Sequence, residues 1–185
     1  MTKSMTGSFY LTDTVVLPAG MGINSRVQST VDLSAYVNVP TGQAIAIESV
    51  DFVYQTTSDF GSNVDSMLTN NGAITTQLVD LNPGNNFVRA DNHSLVASGS
   101  LQIDKANCIA SHASDLYPDN FGPANLSEAF LVVNDTLYLT SGPDSSVAGT
   151  LIFGETAVSA RIRCRVVKLS TKDWMAIAIQ ATAEA

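Results

Sequence analysis

The residues best equipped for chemistry in this chain are few, and their spacing argues against most of it. The two histidines are His93 and His112. Ser111-His112-Ala113-Ser114-Asp115 contains the ingredients of a hydrolytic triad. A nucleophile, a base and its orienting acid, however, have to converge from separate elements, which neighbours along one segment do not do. His112 and Cys108 supply two ligands where a structural zinc site takes four. Asp59, Asn63 and Asp65 gather in one oxygen-rich stretch, and Asp115, Asp119 and Asn120 in another. Neither has the spacing of a helix-loop-helix calcium loop, and Asp and Asn are also the residues of turns. Gly20-Met21-Gly22 lacks the lysine and the following helix of a phosphate loop. The sequence assigns no catalytic residue, no metal ligand and no cofactor.

The strongest pattern is cationic. Of nine Lys and Arg residues, Arg161, Arg163, Arg165, Lys168 and Lys172 fall in one short stretch, the three arginines at every second position. That is a strand's period. It predicts Val158, Ala160, Ile162, Cys164 and Val166 facing inward and the guanidinium groups of Arg161, Arg163 and Arg165 standing outward as a ladder. Like charges on one face repel, so an acidic surface is expected opposite them. Three readings fit: ion pairs to Asp or Glu on neighbouring strands, an interface with another copy of the chain, or an anionic ligand or lipid surface. The formal net charge of -8 makes the chain's own surface, or that of a second copy, the nearest source of such a partner. Arg161, Arg163 and Arg165 are therefore the candidate subunit-interface residues.

Elements that could hold such a ladder run through the whole sequence. Apolar residues alternate, or form short continuous runs, over Phe9 to Leu17, Val27 to Val39, Ala44 to Tyr54, Ile74 to Leu81, Ser94 to Ile103, Leu151 to Phe153 and Val158 to Leu169. In the third run Ile45 and Ile47 share one parity while Val50, Phe52 and Tyr54 share the other, so a bulge near Glu48-Ser49 is needed to keep both sets inward. Turn-rich segments separate the runs, including Pro40-Thr41-Gly42, Asn82-Pro83-Gly84 and Ser141-Gly142-Pro143-Asp144-Ser145-Ser146. Residues 110–128, with Pro118, Gly122 and Pro123, read as a surface loop. Phe130 to Val133 and Thr136 to Thr140 read as strands flanking a tight Asn134-Asp135 turn, or as one kinked strand. Ser170 with Asp173 reads as an N-cap and capping box that opens a short C-terminal helix through Trp174, Ile177 and Ala178. The fold class is all-β: one antiparallel two-sheet sandwich over residues 1–185, most simply a single jelly roll, with a C-terminal helix. An immunoglobulin-like sandwich is disfavoured because Trp174 follows both cysteines.

Composition narrows the partners. At 185 residues the chain suits a single domain. Only 14% of residues are charged while 45% are hydrophobic, so Ser, Thr, Asn and Gly must cover much of the surface, which suits burial in contacts. An acidic pI near 4.4 argues against sequence-specific or general nucleic-acid binding, which needs clustered cations. The N-terminus lacks the pattern of a secretory signal, and no apolar run is long enough to span a bilayer, so synthesis in the cytosol is expected. In that reducing setting Cys108 and Cys164 are expected as buried free thiols rather than a disulfide.

The strand phrases Thr30-Val31-Asp32-Leu33-Ser34-Ala35-Tyr36-Val37, Ala44 to Tyr54 and Phe130 to Leu139 resemble those of single jelly-roll capsid proteins from viruses of microbes. That resemblance implies a structural, non-enzymatic subunit that self-assembles into a virion shell. It also implies a second capsid protein as a further partner and peripheral contact with an internal viral membrane. The missing basic N-terminal arm departs from the genome-binding type. Two rival functions remain open on the residues alone. One is a carbohydrate- or ligand-binding sandwich using the loops Tyr54 to Asp65 and His112 to Phe121, where Tyr117 and Phe121 could stack on a sugar ring. The other is a strand-exchanging surface filament that donates Phe9 to Leu17.

Overall fold

A computed structural model describes residues 3–58, 60, 66–117 and 129–183, the side chains of residues 3 and 181–183 excepted. Among these residues ten strands and one helix follow in order: β1 (Lys3–Ser4), β2 (Phe9–Leu17), β3 (Val27–Asp32), β4 (Gln43–Thr56), β5 (Gly72–Val79), β6 (Leu95–Asp104), β7 (Ile109–Leu116), β8 (Phe130–Val132), β9 (Thr136–Asp144), β10 (Thr156–Lys168) and α1 (Thr171–Ala183). One sheet places β1 and β2 along the same edge of β10, then β4, then β8; the other runs β3-β9-β5-β6-β7. All pairings are antiparallel.

The pairings nest. β2 lies on β10, β3 on β9, β4 on β8 and β5 on β6, as if one long hairpin had been rolled into two facing sheets. That is the jelly-roll arrangement, and it makes the fold an all-β antiparallel sandwich with a C-terminal helix, as the sequence implies.

Inward-facing side chains of both sheets meet in one apolar cluster, with Leu17, Ile45, Ile47, Phe52, Ile74, Leu78, Leu137, Leu139, Ile162 and Cys164 among its most buried members. The Phe52 ring packs against Gly99 of the opposite sheet, where an added Cβ would stand 2.6 Å from the ring's Cδ2. The core also carries a polar thread between the sheets. The Tyr54 hydroxyl donates to Thr76 Oγ1 at 3.0 Å, Thr76 shares a hydrogen with Ser141 Oγ at 2.9 Å, and Ser141 donates to the Thr75 carbonyl at 3.1 Å. Each buried hydroxyl is thereby satisfied. Near the open end of the sandwich Asp13 on β2 accepts a hydrogen bond from Ser29 on β3, and burial raises the Asp13 carboxyl above its usual range.

A second apolar cluster lies on the outer face of the first sheet. Ala44, Ala46, Leu131, Val133, Val167 and Leu169 are covered there by Ile177, with Trp174 and Ala178 packed alongside. The helix begins as the sequence implies: Asp173 N–H donates to Ser170 Oγ at 3.2 Å, and Ser170 Oγ donates to Asp173 Oδ2 at 2.8 Å.

Several sequence expectations are corrected. Residues 110–116, expected in a loop, belong to β7, a polar edge strand with no fully buried residue. Asn134-Asp135 does not close a hairpin, because β8 and β9 belong to different sheets and the connection crosses between them. Ser141 to Asp144 continue β9 instead of turning. Pro143 fits because β3 stops pairing at Ser141, leaving that side of β9 without a ladder for the proline to break. The second run ends early, at Asp32, whose carboxylate accepts the Ser34 N–H at 2.8 Å and turns the chain. Cys164 is a buried free thiol, but Cys108 is an exposed one, at a turn with φ of 55°.

Two buried acids make the fold alkali-sensitive. Burial, reinforced by the nearby Glu48 charge, pushes the Cys164 thiol up to about 12 from 9.0, and burial pushes the Tyr54 hydroxyl up to about 12 from 10.0. Both are neutral in the folded state below their unfolded values, so their contribution is complete below about pH 9 and is lost as the pH rises through about 12. Guanidinium unfolding midpoints should therefore fall steadily above about pH 9, and Cys164→Ala should delay the onset by about one pH unit. A midpoint independent of pH between 9 and 11 would contradict this.

Candidate interaction face

Strand β10 presents the arginines as its alternation dictates. Val158, Ala160, Ile162 and Cys164 are fully buried and Val166 nearly so, while Arg161 and Arg163 are exposed and Arg165 is half-buried. Because β10 lies between β2 and β4, each arginine has a defined row. Arg163 lies between Tyr10 and Ser49, and Arg161 between Thr12 and Asp51. The next row, Thr14, Ser159 and Val53, is uncharged, and Thr14 Oγ1 and Ser159 Oγ are 2.8 Å apart. Beyond Arg165 the same outward parity reaches Val167, which the helix covers.

The acidic partner comes from the bulge. Cys164 pairs with Ile47 and Arg163 with Ser49, so Glu48 is the extra residue of β4. Its carboxylate lies between two arginines, with Arg163 Nε 3.1 Å from Oε2 and Arg165 Nε 3.3 Å from Oε1. The first contact is well exposed on the arginine side, at 51%, so it is worth less than its distance suggests. Arg165 Nε is buried and not aligned as a hydrogen-bond donor, so its contact is an ion pair only. Ser8 adds a hydrogen bond to Glu48 Oε2 at 2.9 Å, which pins the N-terminal segment over β10. Arg161 has a different neighbour, its guanidinium lying 5.1 Å from the centre of the Tyr10 ring. The ladder is thus partly neutralised within the chain, and Arg161 with the outer half of Arg163 remains open beside the exposed ring of Tyr10.

Other cations are built into the fold. Arg26 forms a 2.8 Å ion pair with Asp144 and stacks on Phe87 at 4.1 Å, and Lys105 Nζ donates to the Leu68 carbonyl at 2.9 Å. Sequence reasoning located the ladder and the bulge but did not connect them; the signal was Glu48 itself, an acid at the position where the parity changes.

The remaining candidates do not converge. Ser111 and Asp115 lie on one face of β7, and His112 lies on the other, edge-on to Tyr54 with ring centres 5.5 Å apart. Tyr117 Oη and Ser98 Oγ are 3.0 Å apart. Asp59, Asn63, Asp65, Asp119, Asn120 and Phe121, which carry the calcium and sugar-stacking readings, lie outside the described residues. Among the described residues no three His, Cys, Asp or Glu side chains gather as a metal site, and no helix is long and apolar enough to cross a membrane.

No family model and no curated protein matches the chain. The solved structures it resembles include viral ones. VP1 of Trichodysplasia spinulosa-associated polyomavirus in complex with GM1 oligosaccharide has a TM-score of 0.42 and 12% identity, covering 90% of this chain and 97% of that one. Merkel cell polyomavirus VP1 in complex with GD1a oligosaccharide has a TM-score of 0.38 and 13% identity, covering 90% and 98%. A chain of turnip yellow mosaic virus has a TM-score of 0.35 and 8% identity, covering 89% and 82%. Likeness at this level carries no argument about activity; the jelly-roll assignment rests on the strand order.

Replacing Glu48 with Gln keeps an acceptor for Ser8 but removes the charge between the two arginines. The variant should lose about 1 kcal/mol at low ionic strength and regain most of it in 1 M salt, as chemical denaturation at both salt concentrations would show. A loss insensitive to salt would mean that shape, not charge, is what Glu48 supplies.

Proposed function

We propose that the chain is a structural capsid subunit that self-assembles into a virion shell, with Arg161, Arg163 and Arg165 at a contact between copies. The observation that carries this reading is the charge asymmetry of the sandwich. The outer face of β2, β10 and β4 sets three arginines against Glu48 and Asp51, a positive excess in a chain of net charge -8. The rest of the molecule is correspondingly acidic, so the face of one copy complements much of the surface of another. Flat rows of Thr, Ser and Val beside the arginines allow close approach. Repetition of one modest contact under closed symmetry then yields a stable shell. The same reading brings its remaining parts: a second capsid protein as partner, contact with an internal membrane, and no enzymatic role.

Arg161 is the residue to neutralise, because Arg163→Glu would set a carboxylate beside Glu48 and Arg161→Glu one opposite Asp51, and either would confound assembly with folding. Light scattering behind size exclusion, with negative-stain imaging, should show large regular particles at low salt that dissociate toward 1 M salt as the attraction is screened. Arg161→Gln should abolish them while leaving the melting temperature nearly unchanged. Identical particle mass for both proteins across the salt range would overturn the role of this face.

One observation favours a carbohydrate-binding module as the second reading. An open groove of about 700 Å³ at the end of the second sheet has a largely apolar lining that includes Ala73, Ile103 and Ile109, which suits the C–H face of a sugar ring, with Gln102, Asp104 and Ser111 beside it to meet hydroxyls. Glycan-array binding by a monodisperse protein, lost in Gln102→Ala, would select it; an array without binding by well-folded protein would remove it.

A further inference from the structure

Strand β7 stands outside the nested pairs that make up the jelly roll and borders the second sheet. It pairs with β6 on one side, and its other side is unpaired among the described residues. The pairing phase shows which backbone groups are left over. Tyr117 N–H donates to the Val96 carbonyl at 2.9 Å, one step beyond the Leu116–Ala97 pair, so Tyr117 and Val96 form a hydrogen-bonded pair. Hydrogen-bonded and non-hydrogen-bonded pairs alternate in an antiparallel ladder. Asp115, Ala113, Ser111 and Ile109 therefore turn their N–H and C=O groups toward β6. Ala110, His112, Ser114 and Leu116 turn theirs outward.

Natural edges are usually guarded by lysine, proline or a bulge. Ile109-Ala110-Ser111-His112-Ala113-Ser114-Asp115-Leu116 contains no Lys, Arg, Pro or Gly, and its pairing with β6 shows no bulge. It is a regular, exposed edge of eight residues.

We infer that β7 is a self-complementary edge that pairs antiparallel with β7 of a second copy, with Ala113 on the two-fold axis. This register sets Ala110 opposite the second copy's Leu116 and His112 opposite its Ser114. It uses all of the outward backbone groups, about eight hydrogen bonds in total. Side chains agree with it. Asp115 falls opposite the second copy's Ser111, a hydroxyl that can donate to the carboxylate, so the two acids of the interface never face each other. Ile109 falls opposite the second copy's Tyr117, an aliphatic-aromatic pair on the same face. At the axis Ala113 meets Ala113, and neither side chain resists close approach. The contact closes as a dimer, so it joins copies in pairs where the arginine face meets an acidic surface elsewhere.

This deepens the shell reading, resting on it only in that copies meet, and the two are separable by experiment. In a Cys108→Ser background, Ala113→Cys places two thiols on the axis, at a non-hydrogen-bonded pair within disulfide reach. Mild oxidation should yield a covalent dimer at least about tenfold faster than Thr30→Cys, an exposed position on β3 that reports random collision. Adding Ser114→Pro removes an outward N–H that the monomer does not use while sparing the His112–Tyr54 contact, and should return the rate to the collision level with little change in melting temperature. Ala113→Lys, in the protein otherwise unaltered, keeps the backbone but opposes two charges, and should abolish pairing in sedimentation equilibrium. Cross-linking no faster than Thr30→Cys, or dimers that survive Ala113→Lys, would overturn the inference. Shells that assemble normally with Ser114→Pro would also overturn it while sparing the shell reading. Edge-dependent dimers with no larger particle at any salt would uphold the edge and sink the shell.

Discussion

The one-residue bulge at Glu48 is the constraint on which the rest of the structure depends. A strand alternates faces with period two, so a slip of one residue exchanges every inward side chain for an outward one. β4 needs Ile45 and Ile47 inward at one end and Val50, Phe52 and Tyr54 inward at the other, and these sets have opposite parity. Without the extra residue, one set would be turned to the outer face and the core would lose either its floor under β8 or its contact with Gly99 and Thr76. The bulge also divides the outer face. Ala44 and Ala46, before it, are small enough to lie under the helix; Ser49, Asp51 and Val53, after it, lie open beside the arginines. Glu48 stands at the boundary, and its charge holds the end of the ladder nearest the helix.

Much of this was legible because the chain is consistent where it is buried. β2 begins and ends at the residues its alternation marks, and β10 keeps strict parity over its full length because both sides of it are paired. The helix start could be read from two residues, since a cap is a local motif. What escaped was what burial does not govern. β7 has no apolar parity because all eight of its residues are exposed or only half-buried, so Ser-His-Ala-Ser-Asp carried only turn chemistry to a reader of sequence. Pro143 and Gly142 looked like a turn because the sequence does not show where a neighbouring strand stops. β8 and β9 looked like a hairpin because two strands joined by three residues say nothing about whether they share a sheet. The arginine ladder was visible at once. Its internal partner was not, because it is brought there by a register shift and not by sequence spacing.

The polar thread through the core has a related consequence. Tyr54, Thr76 and Ser141 come from three strands and both sheets, so their hydroxyls satisfy one another only when the sheets face each other in one alignment. Apolar packing of Leu, Ile and Val tolerates sliding more readily than a chain of hydrogen bonds does. The thread therefore fixes how the sheets sit, while the apolar cluster supplies most of the driving force for bringing them together. It also accounts for a Gly at position 99 and a Phe at position 52 in the same layer, since alignment of the sheets brings that ring down on a residue without a side chain.

A sandwich, unlike a closed barrel, leaves sheet edges that have to be managed. The first sheet manages its β10 edge with β1 and β2, and the Met5 N–H donates to the Val166 carbonyl at 2.9 Å in the gap between them. Its outer face is half covered by the helix. The second sheet ends on β3, a short strand that stops at an Asp turn, and on β7, the longer and more regular of the two. A chain with a low density of charge has little electrostatic means of guarding such an edge, and this one places no cation there. The cations are instead concentrated on the outer face of the other sheet. Edge and cationic face therefore belong to different layers of the sandwich, so a molecule can use each for a different neighbour, as an extended assembly requires.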